Sequence, residues 1–428
     1  MKEIKILIEK NSPRLEFVLN FLEERLGITI HCLQSIDGQI DDDRCIDYRF
    51  NPLENCLSIY NSGFFNEVNE LNLARPRVRK GDIIELFPSD ETTYDIHFDL
   101  FASTFFCLSR YEEYQAFTPD QHGRFPSEAS HARRNDYLNR PVVDEWVMLL
   151  RDKIEKKWNI DLLQPKPFQI SPTIDVDVAW AYLQRKPLHA IGSQFKKTIK
   201  GQQAVLQEQR QAYKSGKDPF DTFSMLKEKL QGFNSHYFFL CYHSPPFDTA
   251  YFLDNIEFEK LIRDQESFAT VGVHPSYAST GDVVKIKQEK QWLEQRIGRS
   301  ISTSRQHYLK LSIPQTYNDL ITLDIQHDFS MGYADQCGFR AGTSLPFYFY
   351  DLLAEEKTDL LIHPFSVMDV TLKEYQKYTI TQAIQIIREI KQTLKKVNGH
   401  FSFIWHNSSF ATLGGWDEWE RVFDALIE

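Results

Sequence analysis

The stretch 169–180, QISPTIDVDVAW, sets two aspartates, Asp175 and Asp177, one residue apart at the end of an apolar run. Residues i and i+2 of a strand share a face, so the two carboxylates would stand side by side with Val176 turned away. Carboxylates that close repel unless a cation, a proton or an arginine lies between them. Four further apolar runs carry groups of complementary chemistry. FATVGVH ends in His274, STSRQHYL brings Arg305 and His307 (again i and i+2), TDLLIHPF carries His363, and HFSFIWHN carries His406. One aspartate with two histidines is a donor set for a borderline divalent metal, mainly zinc, with a position open to water and substrate. The other aspartate would stay unligated as general base, an arginine would hold it ionised, and a histidine across the site would act as general acid. That is metal-assisted hydrolysis of an amide or ester. A single strand-end histidine is more often a hydrogen-bonded structural residue; the gathering of several such ends is what points to a site.

The elements that must position these groups follow from periodicity. From about residue 165 onward, strand-like runs alternate with helical ones, the clearest helix running from Ile380 to Val397 with Ile380, Ala383, Ile387, Ile390 and Leu394 on one face and Asn398-Gly399 as its stop. Such alternation predicts a parallel α/β architecture, barrel-like or doubly wound, with chemistry at the C-terminal ends of the strands. LQPKPF, with two prolines, marks a boundary, dividing the chain into residues 1–164 and 165–428. The first part reads as a smaller α/β domain. It opens with the strand EIKILIE and a helix capped by Ser12, begun by Pro13 and ended by Gly27. Short strands ITIHCL, CLSIY and YDIHFDLF and a helix from Val142 to Trp158 follow. The acidic turn DGQIDDDR lacks the ligand spacing of a calcium loop and reads as solvated.

At 428 residues, two domains are the natural expectation. A net charge of −11 argues against nucleic acid or an anionic membrane as partner. Six scattered cysteines without a CxxC pair argue against a zinc ribbon or a disulfide scaffold and suit a reducing compartment. No signal-peptide core and no apolar run of about 18 residues are legible, which predicts a cytoplasmic chain without membrane insertion. The aromatic share of 14% fits a large core or a sugar-facing cleft. No GxGxxG or phosphate loop supports a nucleotide cofactor.

With these motifs in order, the stretch from about Pro165 to the C-terminus resembles the polysaccharide deacetylases, the family-four carbohydrate esterases, whose fold is a distorted (β/α) barrel. TIDVD is similar to their aspartate pair, which implies Asp175 as general base and Asp177 as metal ligand. HPSYA supplies His274 from their histidine motif, but the second histidine position is Ala278. His307, which period two sets beside Arg305, is the candidate to replace it. Arg305 matches the arginine that orients the base, and FIWHN implies His406 as general acid, with His363 as a rival. The resemblance implies a Zn2+ site (Co2+ or Ni2+ as alternatives) and removal of an N- or O-acyl group from a sugar or glycan precursor by water activated on the metal. Tyr277, Trp405 and Arg340 are candidate substrate contacts. Arg340, with Arg110 and Glu112, has inter-domain ion pairing as its other reading. The first 160 or so residues resemble an accessory domain that precedes deacetylase domains in some bacterial proteins. Two alternatives stay open: hydrolysis of a non-sugar C–N bond on the same fold, and a catalytically inactive barrel that binds a glycan or a partner.

Overall fold

The computed structural model describes residues 2–34, 44–65, 77–91, 93–184, 203–250, 252–411 and 414–428. The acidic turn, through Asp43, lies outside them. The chain begins with a four-stranded parallel sheet in the order Ile28–Leu33, Lys2–Ile8, Cys45–Tyr48, Leu57–Ser58. The helix Pro13–Leu26 packs on it. Ser12 Oγ accepts the Leu15 N–H at 3.2 Å, and Gly27 leaves the helix at φ 65°, a left-handed conformation that glycine adopts without Cβ strain. YDIHFDLF is not the strand its pattern predicts. Ile96 and Phe98 make only isolated bridges, and Asp99 then caps a helix, Leu100–Leu108, by accepting the Ala102 N–H at 2.9 Å. All nine residues of that helix are buried, so its apolar run is core on every side and carries no helical stripe to read.

The second sheet has nine strands, in the order Phe347–Asp351, Glu356–Ile362, His327–Asp328, Thr303–Ser304, Thr270–His274, His236–Leu240, Gln169–Val176, His400–His406, Val367–Met368. Every neighbouring pair is parallel except the first, which is antiparallel. The chain is therefore a mixed α/β protein with a large, mostly parallel sheet. The central strands read as near-continuous apolar runs because both faces are covered. The strand Phe347–Asp351 was not expected from the sequence; its FYFY run sits at the sheet edge.

One element differs from its pattern in a way that matters. TSRQHYLKL yields a strand of only two residues, Thr303–Ser304, followed by a 3-10 turn at His307–Leu309. The hydrogen bonding nevertheless runs on: Arg305 N–H donates to the Val273 carbonyl at 3.1 Å and His307 N–H to that of Pro275 at 3.0 Å. The i, i+2 relation of Arg305 and His307 thus survives past the strand. Tyr308 and Leu309 then both turn left-handed, at φ 59° and 51°. Close packing of this ladder depends on Gly272, where a Cβ would fall 2.6 Å from Thr303 Oγ1 and 2.7 Å from the Phe238 ring.

Ion pairs join the early chain to loops of the later part, the Arg340–Glu113 pair being fully buried. Arg14 Nε donates to Glu355 Oε2 at 2.9 Å. Arg340 donates to Glu113 at 2.9 and 2.6 Å, and Arg110 Nε donates to the same carboxylate at 2.8 Å. Arg340 is fully engaged there and also donates to the Gly332 carbonyl. It does not line the cavity described next, which removes it as a substrate contact.

Candidate functional site

Parallel pairing brings the C-terminal ends of Gln169–Val176, Thr270–His274, Thr303–Ser304 and His400–His406 to one side, and a cavity of about 200 Å³ opens there. Asp175, Asp177, His274, His307 and His406 all line it. Between the two aspartates stands an imidazole edge: His274 Nε2 is 3.3 Å from Asp177 Oδ1 and 3.8 Å from Asp175 Oδ2. On its other oxygen Asp175 accepts from Arg305 Nη1 at 2.8 Å. The Arg305 side chain is fully buried, donates also to Thr173 Oγ1 and the Phe329 carbonyl, and lies 4.6 Å from the centre of the Phe238 ring. Burial lowers its pKa, opposed by the charge and hydrogen bond of Asp175.

His274 and His307 each have Nδ1 committed to an outer acceptor and Nε2 turned to Asp177. His274 Nδ1 lies 2.6 Å from the Arg305 carbonyl, which can only accept, so Nδ1 carries the proton. His307 Nδ1 donates to Asp248 Oδ1 at 2.9 Å. The Nε2 atoms of both face Asp177, at 3.3 Å and 3.4 Å. Burial would raise the Asp177 pKa, but the charge of His307 and hydrogen bonds from His274 and His307 hold it well below the ordinary carboxylate range. Burial would lower that of His307; Asp177 and then Asp248 raise it to about 9.

This donor set fits a divalent cation. One carboxylate and two Nε2 atoms lie within 4.8 Å of one another, the grouping of three potential ligands found among the described residues. Asp177 Oδ1 is buried and accepts no well-aligned hydrogen bond. Both Nδ1 atoms are anchored by acceptors, the arrangement that orients histidine ligands.

His406 faces the same carboxylate from across the cavity, Nε2 lying 3.8 Å from Asp177 Oδ2. Its Nδ1 is 2.9 Å from Asp369 Oδ1, and Asp369 Oδ2 accepts its backbone N–H at 2.8 Å. Burial would lower the His406 pKa, but Asp369, then Asp177 and Asp175, raise it to about 10.

The other sequence candidates lie elsewhere. Trp405 is fully buried between Phe410 and Phe423, because neighbours on a strand face opposite ways and His406 takes the cavity side. It cannot offer a face to a ligand. Tyr277 stands outside the cavity, half-buried and stacked on Phe247 at 4.1 Å. His363 stacks on Phe329 at 4.3 Å, 3.0 Å from His327 Nδ1, beside a separate cavity of about 960 Å³ shared with His236 and His400. His400 and His406 begin and end one strand, roughly 20 Å apart. His363 therefore lines the cavity at the other end of the sheet and does not face the aspartates. Asp248, Asp369 and Arg124, which also lines the site cavity, were missed. Asp369 follows the strand Val367–Met368 directly, the same apolar-run-then-acid signal that drew attention to Asp175. Asp248 sits in a two-strand hairpin and carries no such signal.

Three comparisons bear on the chain. Among solved structures, a Mycobacterium smegmatis protein assigned as a polysaccharide deacetylase is similar at TM-score 0.41 and 14% identity, over 63% of this chain and 85% of that one. The 4-alpha-glucanotransferase of Thermococcus litoralis is similar at TM-score 0.37 and 12% identity, over 61% and 37%. The polysaccharide deacetylase Bc1974 of Bacillus cereus is similar at TM-score 0.31 and 12% identity, over 60% and 86%. Likenesses of this strength fix neither a fold nor an activity. No curated protein matches the chain. No helix among the described residues is long and apolar enough to cross a membrane. Residues 4–159 match a family described as a family of unknown function, DUF7033.

Proposed function

We propose that this protein is a metal-dependent hydrolase that removes an N- or O-acyl group from a sugar or glycan precursor, on a distorted (β/α) barrel formed by residues 165–428. The observation that carries this reading is the convergence of Asp177, His274 and His307, whose ligand atoms lie within 4.8 Å of one another beside an aspartate–arginine pair and an aspartate–histidine pair. In this reading Asp177, His274 and His307 hold a divalent cation, zinc first, with cobalt or nickel as alternatives. Such a cation would supply Lewis acidity toward an acyl oxygen and favour deprotonation of water near neutral pH.

The protein's own groups do the rest. Asp175 takes a proton from water approaching the acyl carbon, and Arg305, donating to its Oδ1 at 2.8 Å, orients the carboxylate and leaves Oδ2 toward the cavity. His406, held as imidazolium by Asp369, delivers a proton from Nε2 to the departing nitrogen or oxygen. Base and acid stand on adjacent strands, Asp175 and His406 being paired in register. Burial of Asp175 and His274 limits competing water.

The test is acetate release from N-acetylated chito-oligosaccharides, with elemental analysis of the same samples. Wild type should release acetate and carry near-stoichiometric metal. Asp175→Asn should keep the metal and lose at least about 10³-fold in kcat, whereas Asp177→Asn should lose both. An Asp175→Asn variant within a few-fold of wild type would remove Asp175 as the base. A protein that takes up no zinc, cobalt or nickel would overturn the reading and favour the inactive, ligand-binding barrel.

A further inference from the structure

One wall of the cavity comes from the early chain. Arg124 belongs to the region matched by the family of unknown function, yet it lines the same cavity as Asp175, Asp177 and His406. It is buried, 7% exposed, and its hydrogen bonds follow a plan. Asp120 folds the chain back on itself: its Oδ1 accepts the N–H groups of His122 and Arg124 at 2.8 and 2.9 Å, and its own N–H donates to the Arg124 carbonyl at 3.0 Å. Gly123, at φ 79°, makes that reversal possible. Asp120 Oδ2 then accepts Arg124 Nε at 2.7 Å, which fixes the plane of the guanidinium.

Held in that plane, Arg124 Nη1 donates to the Tyr308 carbonyl at 2.6 Å, and Nη2 reaches the Tyr375 hydroxyl at 3.4 Å. Tyr308 and Leu309 are consecutive non-glycine residues in the left-handed region, a conformation that persists only where the surroundings enforce it. Local backbone bonds at this turn run from Leu309 N–H to the Gln306 carbonyl at 2.9 Å, from Lys310 N–H to that of His307 at 3.2 Å and from Leu311 N–H to that of Leu309 at 2.9 Å. His307 immediately precedes the turn, and its Nε2 stands 3.4 Å from Asp177. The His122 ring packs on Tyr308 at 5.2 Å, so the Asp120–Arg124 turn meets the segment with both a hydrogen bond and a ring contact.

We propose that the N-terminal region completes the site: the Asp120–Arg124 turn braces the left-handed Tyr308–Leu309 segment and thereby holds His307 in register with Asp177 and His274. Arg124 is a positioning residue in this scheme. The role assigned to the region is structural support of the ligand set, in place of a detachable accessory domain. The brace itself rests on these hydrogen bonds and the ring contact; its effect on metal binding rests on the function proposed above.

The test uses the full-length protein and four forms of it: wild type, Arg124→Ala, Tyr308→Gly and the double variant. Glycine adopts the left-handed conformation without strain, so Tyr308→Gly should remove the need for a brace. Two readouts are taken. Amide exchange at Leu309 and Lys310 in metal-free protein reports the turn, and Co2+ titration followed by the visible absorption of the bound ion reports the ligand set. Arg124→Ala should speed exchange at those two amides by about tenfold or more and weaken Co2+ binding by about tenfold or more. The double variant should return to within a few-fold of Tyr308→Gly alone in both readouts. Unchanged exchange in Arg124→Ala overturns the brace, and so does a loss that Tyr308→Gly fails to rescue. Should Arg124→Ala not fold, Arg124→Lys, which keeps the charge and loses the planar fork, replaces it with the same expected direction. If wild type binds no Co2+, the metal-site reading fails and the amide exchange alone decides the brace.

Discussion

His406 presents one ring nitrogen to Asp369, 2.9 Å away, and the other to Asp177, 3.8 Å away, so a single imidazole links a fully buried carboxylate to the one at the centre of the cavity. Asp369 also accepts the His406 backbone N–H, which fixes ring and main chain together. Nε2 is therefore aimed at the cavity before any ligand arrives.

Removing that aim should cost turnover and little else. Asp369→Asn is expected to lower kcat by about 10²-fold or more, with KM and metal content within a few-fold of wild type. Steady-state kinetics and elemental analysis check this, and an unchanged kcat would remove His406 as the acid.

Asp248 serves two groups at once. It accepts from His307 Nδ1, and its carboxylate oxygens also accept the N–H groups of Tyr277 at 2.7 Å and Ala278 at 3.0 Å. One carboxylate thus ties the backbone just after His274 to the His307 ring. Asp248→Asn should weaken zinc binding by about 10- to 100-fold, measured by chelator competition.

The cavity at the other end of the sheet predicts acid sensitivity. Burial, then neighbouring His327, His236 and His400, pushes the His363 pKa from an ordinary 6.5 down to about 3. His236 and His400 are each lowered by burial to about 4. Because the folded values lie below the unfolded ones, the unfolded chain binds more protons between them. This contribution to stability is full above pH 6.5 and is lost as pH falls toward 4 and 3. His363→Gln should therefore trail wild type in Tm most at pH 7, with the gap shrinking steadily by pH 4.5 in thermal melts.

Gly272 is a packing constraint on the site. Gly272→Ala would force a methyl group within 2.6 Å of Thr303 Oγ1 and into the Phe238 ring, on which Arg305 rests. Such overpacking should destabilise by about 1–3 kcal/mol, read from denaturant unfolding.

Local features were legible in the sequence. Ser12 and Gly27 bound the first helix, and Ile380–Lys396 starts at Thr379 through a capping box with Gln382. The central strands, including those that end in His274 and His406, fall where apolar runs end in polar residues. Periodicity within one element also set Asp175 beside Asp177 and Arg305 beside His307. It would have excluded Trp405 too, since His406 next to it on the strand must face the other way.

What joins residues of different elements was not legible. The placement of His406, and not His363, beside Asp177, the pairing of Asp248 and Asp369 with histidines 59 and 37 residues away, and the commitment of Arg340 to Glu113 all follow from which strands lie side by side and in what register. The intrusion of Arg124 into the cavity follows from how the early chain docks on the large sheet. A sequence determines backbone periodicity and chain ends of elements, because those are set by near neighbours. Partners for buried charges are chosen only at packing, where each must find an opposite charge or hydrogen bond within about 3 Å or leave a costly group unsatisfied.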